Sequence, residues 1–434
     1  MYSGTDGHEL TDAMVVRLRE DFPILSRVGR GGQEIAYLDA SATTQKPLQV
    51  INAERDFYTR HNAAVNRGTH VLGDEATQIY DDGRGRLARF LGVRDSQEII
   101  WTRNATEAIN LLTYALLNAY LDGHRGITDE RLKLGAGDRV VVTRAEHHAN
   151  LVPWQQLCAR VGAELAWLDL DPQGRIDLGT LDAITPNTKI VAFTHMSNVT
   201  GALSPVEHIL GAARSMGALT VLDTCQSAAH IPVNLGELGV DFAAFSGHKM
   251  LGPTGIGALW GRYDLLAQLP PFMTGGSMVQ TVSMEATTFV PAPARFEAGS
   301  QAVAQIAGWC AALDYMDNIG MAHIRDREEE LAQQLLDGLS TIEGIRILGP
   351  REAKDRACVV SFAVEGVHPH DVGQFLDARD IAIRVGHHCA QPIHQHFGVP
   401  SSCRVSACIT TTKDEIERLI DALAQTRSFF SLRG

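Results

Sequence analysis

Residues 241–257 read Asp241-Phe-Ala-Ala-Phe-Ser246-Gly-His-Lys249-Met-Leu-Gly-Pro-Thr-Gly-Ile-Gly257, and their reading decides the fold. Asp241 to Phe245 is a short apolar run of strand type. Ser246 and Gly247 break it, and Gly252, Pro253, Gly255 and Gly257 punctuate the stretch beyond Lys249. A lysine just past a buried strand, on a glycine-rich turn, sits where open α/β sheets place their chemistry. Burial disfavours the charged amine, and a neutral amine can attack a carbonyl to form a Schiff base. Taken alone, Lys249 also reads as a surface loop lysine, because lysine is seldom buried. Its company elsewhere in the chain decides between the two.

Upstream, apolar strands alternate with helical patterns. Strands are expected at 98–102, 139–143, 164–168, 189–194 and 218–223, with helices at 80–91, 103–120, 154–161 and 206–216 between them. Such alternation implies parallel pairing with right-handed crossovers. Functional groups then gather at the carboxyl ends of the strands. After about residue 270 the pattern changes. Pro270, Pro271, Gly275, Gly276, Pro291 and Pro293 mark a loop-rich passage, and a long helical region runs from 302 to 339. Strands are expected at 359–364 and 381–385, and helices at 371–378 and 412–428. This divides the chain into a large α/β domain, 25–317, and a smaller α+β domain made of 1–24 and 318–434.

The chain has 434 residues, of which 45% are hydrophobic and 21% charged, with a net charge of -13. That is the composition of a globular protein, and its acidic balance gives no support for nucleic acid or anionic membrane as partner. There is no run of about 18 apolar residues for a membrane span. Met1 to Leu10 carries no apolar signal core, so a cytoplasmic location is expected. The seven cysteines are scattered and odd in number, which is no disulfide framework.

Four clusters surround the central lysine. Asp223-Thr-Cys-Gln226 lies just past a buried strand, where a carboxylate can hold a proton on a pyridinium ring. Asn104-Ala-Thr106-Glu107 opens a helix, a place suited to an anion. Each reads alone as a helix cap. Glu146-His147-His148-Ala-Asn150 comes after the strand ending at Thr143 and offers a flat imidazole. Arg384-Val-Gly-His387-His388-Cys389 places an arginine, two imidazoles and a thiol together, and a thiol near cations is nucleophilic. Arg404, in Cys403-Arg-Val-Ser406, offers a planar fork for a carboxylate.

Asp223-x-x-Gln226, Ser246-Gly-His-Lys249, Glu146-His-His-Ala-Asn150 and Arg384-x-Gly-His-His-Cys389 occur here in the order and spacing of a known family. The chain resembles SufS-type, group II cysteine desulfurases, which are pyridoxal-phosphate enzymes of the class V aminotransferase group. The resemblance runs from about Arg17 onward and includes Tyr37-Leu-Asp39, His195-x-Ser-Asn198 and Arg295-Phe-Glu-Ala-Gly299. It implies the type I fold, with a mainly parallel sheet flanked by helices in the large domain. Lys249 would carry the cofactor, Asp223 would pair with the ring nitrogen, Gln226 would meet the phenolic oxygen, and His147 would stack on the ring. Ala105, Thr106, Ser246 and His248 would hold the phosphate. Asn198 and Arg404 would bind the substrate L-cysteine, with Arg384 close by. Cys389 would take the sulfur as a persulfide and release alanine, supplying iron–sulfur cluster assembly. The resemblance further implies a homodimer, to whose shared phosphate site Ser300 would contribute, and a Suf-type sulfur acceptor. In relatives served by a zinc-binding acceptor, the segment like His368-Pro-His370-Asp371 gives the partner's zinc a histidine, a role His370 would fill.

The chain departs from the family pattern in four places. Asn66 stands where His is usual, Gly299-Ser-Gln301 where Gly-Thr-Pro is usual, Thr411 where Asn is usual, and Asn104-Ala105 where Gly-Thr is usual. Asn66 and Thr411 are expected near the substrate. Three rival readings stand beside the desulfurase. Selenocysteine lyase, or another class V lyase or epimerase, would use the same scaffold, although an epimerase has no need of Cys389. His387, His388, Cys389, His394, His396 and Cys403 suggest a metal site, but no Cys-x-x-Cys or His-x-x-x-His spacing frames them, and metal binding leaves Lys249 and Asp223 unexplained. A catalytically degenerate scaffold is suggested by the departures alone.

Overall fold

The computed structural model describes residues 10–431. Seven strands form the central sheet: β1 (Ile99–Thr102), β2 (Arg139–Thr143), β3 (Glu164–Leu168), β4 (Thr188–Thr194), β5 (Leu219–Asp223), β6 (Phe242–Ser246) and β7 (Gly257–Gly261). Their order is β1-β7-β6-β5-β4-β2-β3. Pairing is parallel from β6 through to β3, and β7 runs antiparallel to both of its neighbours.

Apart from the edge strand β3, which is partly exposed, the strands are apolar on both faces because both faces are covered. The two-residue period sends Val141, Phe193, Leu222, Ala243 and Phe245 into one core layer. Val140, Val142, Ala192, Val221, Phe242 and Ala244 go into the other. The register sets Thr194 beside Asp223, and Asp223 beside Ala244. The carboxyl ends of β4, β5 and β6 therefore finish at one level, and the chemistry-bearing residues sit just past them.

The expected alternation is present, with some shifted boundaries. The helix expected at 80–91 begins at Val71, capped by the His70 side chain. The long helical region is two helices, Val303–Ile319 and Met321–Ser340, divided at Gly320 with φ of 91°. A helix is expected over residues 1 to about 24; it spans Asp12–Arg19, and its expected part before residue 10 lies outside the described residues.

The smaller unit holds an antiparallel sheet of β8 (Ile345–Leu348), β9 (Val359–Val364), β10 (Arg384–Gly386) and β11 (Ser402–Ser406), in the order β8-β9-β11-β10. Leu331, Leu335, Phe375 and Leu419 from its helices pack with Phe362 and Val405 of the sheet. The strand expected over 381–385 is divided: Ile381–Ala382 pairs in parallel with Ala36–Tyr37, and β10 pairs with β11. Ala36 and Leu38 thus join the core of the smaller unit, whereas Leu18 and Phe22 join that of the larger.

Candidate active site

The turn Gly247–Lys249 leaves the end of β6 and carries Lys249 into a cavity of about 290 Å³. The carbonyl of His248, one residue earlier, accepts from Lys46 Nζ at 2.7 Å, Thr44 Oγ1 at 3.1 Å and Thr43 Oγ1 at 3.2 Å. Four expected phosphate ligands, Ala105, Thr106, Ser246 and His248, line the same cavity. Ala105, the first residue of the helix Ala105–Leu121, donates its amide N–H to Ser246 Oγ at 2.9 Å. Gly257 permits this approach: a Cβ there would stand 2.5 Å from the Asn104 Cα.

Asp223 ends β5 and is 5% exposed. One carboxylate oxygen, Oδ1, accepts the Cys225 amide at 3.0 Å. Gln226 donates from Nε2 to the Ser41 carbonyl at 3.1 Å, and its Oε1 is buried without a partner. His147 Nδ1 accepts the Ala149 amide at 3.1 Å, so the hydrogen of the neutral ring sits on Nε2. Burial first, then the Lys249 charge, pushes the His147 pKa down to about 4. The preceding residue, Glu146, is fully buried and accepts from Thr143 Oγ1, Asn150 Nδ2 and the Thr194 amide.

Arg404 stands on β11, 2% exposed, with Nη1 3.1 Å from the Asn198 carbonyl and Nη2 3.4 Å from Asp39 Oδ1. Its Nε is buried and unpartnered. Burial lowers its pKa to about 10. Asn198 donates Nδ2 to the His388 carbonyl at 2.7 Å. Arg384 lies on β10 and turns its fork to Asp39, at 2.7 Å and 3.0 Å from Oδ2.

Cys389 is the exposed thiol. Cys158, Cys310, Cys358 and Cys403 are pushed up to between about 11 and about 12 by burial, and Cys225 and Cys408 are raised for the same reason. Cys389 lines the Lys249 cavity and also an adjoining groove of about 340 Å³, so it stands at their boundary.

Every expected site residue but one lines the Lys249 cavity. Ser300 is exposed and lines a separate cavity with Phe57, Val65 and Gln301. Asn66 and Thr411 do not line the Lys249 cavity either. Asn66 is on an exposed loop, and the Thr411 hydroxyl accepts the Cys408 amide. Among the described residues no three His, Cys, Asp or Glu side chains stand where they could hold a metal ion. Sequence reasoning missed Asp39 and Lys46 as parts of the site. Their partners lie hundreds of positions away, and only the sequence Tyr37-Leu-Asp39 hinted at the first.

A type I pyridoxal-phosphate architecture is defined by this sheet order and this cavity, and the chain belongs to the class V aminotransferase family, whose profile matches residues 36–419. It is 49% identical to "Probable cysteine desulfurase 2" of Mycobacterium leprae, over 97% of this chain and 98% of that one. It is 45% identical to a Streptomyces coelicolor protein named "Probable cysteine desulfurase", over 95% of this chain and 97% of that one. The structure is similar to the apo cysteine desulfurase of Thermococcus onnurineus, with TM-score 0.87, 35% identity, and coverage of 95% and 97%. It is also similar to the Escherichia coli cysteine desulfurase CsdA, with TM-score 0.84, 34% identity, and coverage of 96% and 98%.

Members of this family use pyridoxal phosphate, and the residues present fit it. The unpartnered Gln226 Oε1 and the buried Asp223 carboxylate both border the Lys249 cavity. A buried polar atom without a partner costs about 1–3 kcal/mol, so such atoms point to a ligand that satisfies them.

Proposed function

We propose that the chain is a cysteine desulfurase, converting L-cysteine to L-alanine and keeping the sulfur as a persulfide on Cys389. The observation that carries this reading is one cavity bordered by Lys249, Asp223, His147, Arg404 and the exposed thiol of Cys389. Enzyme thiol plus L-cysteine gives persulfide plus L-alanine, so atoms and electrons balance without an external oxidant.

Bound pyridoxal phosphate supplies an electron sink for the carbanion left when the substrate's α-proton departs. The chain's own groups do the rest. Lys249 Nζ holds the cofactor and then takes the α-proton as a base. Asp223 would keep a proton on the ring nitrogen, and the Gln226 side-chain amide would meet the phenolic oxygen. Ala105, Thr106, Ser246 and His248 would hold the phosphate at the head of a helix, where backbone dipoles favour negative charge. His147, neutral at pH 7, would lie against the ring with Nε2–H as donor. Arg404 Nε–H takes the substrate carboxylate, with Asn198 beside it, and Arg384 adds positive charge at the mouth. The Cys389 thiolate attacks the substrate sulfur. The new S–S bond forms as the C–S bond breaks, its electron pair passing to carbon.

The reading includes a two-part division near 25–317 and 1–24 with 318–434, the second part carrying Cys389, with Leu18 and Phe22 crossing to pack in the larger part and Ala36 and Leu38 in the smaller. It also includes a homodimer in the cytoplasm, in which Ser300 reaches the partner's phosphate. Sulfur then passes to a Suf-type acceptor for iron–sulfur cluster assembly. His370 is exposed at the start of the helix Pro369–Asp377, accessible to a zinc-binding acceptor. Acceptor stimulation that is unchanged in His370→Ala removes that element. The whole reading is tested by the absorbance of the purified protein and by alanine release from L-cysteine. A yellow protein that releases alanine supports it, and a protein that takes up no pyridoxal phosphate overturns it.

A further inference from the structure

His388 and Cys389 are consecutive non-glycine residues in the left-handed region, with φ of 52° and 53°. Each such residue costs about 1–2 kcal/mol and persists only where its surroundings impose it. The backbone of this turn is pinned at several points. The His388 carbonyl accepts from Asn198 Nδ2 at 2.7 Å, and the Cys389 carbonyl accepts the His148 amide at 2.6 Å. The Gln391 amide donates to His148 Nε2 at 3.1 Å.

A second set of bonds runs through side chains. Ser402 Oγ lies 2.9 Å from His388 Nε2 and 2.9 Å from His394 Nε2. His394 Nδ1 lies 2.8 Å from the Ala390 carbonyl. A carbonyl only accepts, so His394 Nδ1 carries a hydrogen. Burial lowers the His394 pKa from its ordinary value and so favours the neutral ring, whose Nε2 accepts from the Ser402 hydroxyl. That hydroxyl has one hydrogen to give, so His388 Nε2 must donate to it. One arrangement of protons satisfies all three bonds. The ring they make leaves the chain at Ala390, passes through His394, Ser402 and His388, and closes on either side of Cys389.

Neither Ser402 nor His394 lines the Lys249 cavity or the adjoining groove. Ser402 is 0% exposed and His394 1% exposed, so neither meets a ligand. We propose that Ser402 and His394 are positioning residues, whose hydrogen-bonded ring through His388 holds the strained turn that aims the Cys389 thiol. The claim that the aim matters to turnover rests on Cys389 being the sulfur-accepting nucleophile. The claim that the ring fixes the thiol does not.

The test uses the holoenzyme with Ser402→Ala, His394→Phe and the double variant. Three quantities are read: cofactor absorbance, kcat and KM for L-cysteine, and the rate at which iodoacetamide alkylates Cys389. Displacing a reacting atom by about 1 Å costs on the order of 100-fold in rate. Each single variant is expected to keep the cofactor and KM and to lose about tenfold or more in kcat. The alkylation rate shifts by a similar factor in each. The double variant is expected to match the singles, because one break already opens the ring. Wild-type kcat and alkylation in Ser402→Ala would overturn the proposal. So would losses that multiply in the double variant, which mark two independent defects. Should the wild type release no alanine, the desulfurase reading falls, and the alkylation rates alone still decide whether the ring fixes the thiol. If Ser402→Ala does not fold, His394→Phe carries the same comparison.

Discussion

Arg384 and Arg404 are directly opposed partners on adjacent antiparallel strands, and one carboxylate, that of Asp39, is shared between them. Like charges so placed repel, and Asp39 holds the pair together. Its grip on Arg384 is bidentate, whereas its 3.4 Å contact with Arg404 is long. Arg404 thus keeps Nε free for an incoming carboxylate. Asp39→Asn is expected to lose about 2 kcal/mol of stability, below the full cost of breaking a buried pair because Arg384 is half exposed. A carboxylate ligand such as L-alanine should restore more stability to the variant than to the wild type. Thermal melts with and without the ligand check this, and equal shifts would contradict it.

Arg84 and Glu297 form a buried ion pair, 2.8 Å and 2.9 Å apart at two contacts. Glu297 also accepts the Trp101 amide at 2.7 Å and the Tyr80 hydroxyl. Glu297→Ala leaves a buried guanidinium without its counter-charge. A loss of about 3–5 kcal/mol is expected in urea denaturation. A change under about 1 kcal/mol would mean that the pair is solvated in solution.

Glu146 has its pKa raised to about 8, by burial above all, against three hydrogen bonds that lower it. A carboxyl whose folded pKa is raised binds its proton more tightly when folded. Its contribution is fully present below the unfolded value of about 4.3 and is lost as pH rises through 8. Glu146→Gln lacks this titration. The stability advantage of wild type over variant should therefore shrink between about pH 5 and pH 8. Urea denaturation of both proteins at the two pH values measures it, and a constant difference would refute the shift.

Gly257→Ala drives a Cβ against the Asn104 Cα and the Phe245 carbonyl. Both are backbone and cannot swing aside. The variant is expected to part Ala105 from Ser246 and to weaken pyridoxal phosphate uptake about tenfold or more, through loss of an aligned helix terminus. Absorbance titration of the apoprotein reads this directly. Unchanged affinity would show that the contact is dispensable.

Much of this was legible in the sequence because the parallel strands are buried on both faces. Runs such as Arg139–Thr143 and Leu219–Asp223 declare themselves, and the residues at or just past their ends are the functional ones. Strand β7 was hidden, since Gly257-Ala-Leu-Trp-Gly261 is bounded by glycines and lacks β-branched residues. The break at Ala382 was hidden because its cause is a partner strand, Ala36–Tyr37, near the other end of the chain. Asp39 and Lys46 escaped for the same reason: their role lies in what they meet across the fold. The ring through Ser402 escaped because serine and histidine carry no spacing signal.

The central claim is most directly tested by mass spectrometry of Cys389 after one turnover with L-cysteine, without reductant. The account predicts one added sulfur atom on the Cys389 peptide and one alanine per sulfur. It also predicts neither product in Cys389→Ser, which should keep its bound cofactor and yellow colour. Alanine release with no sulfur on Cys389, or undiminished release in Cys389→Ser, would contradict it.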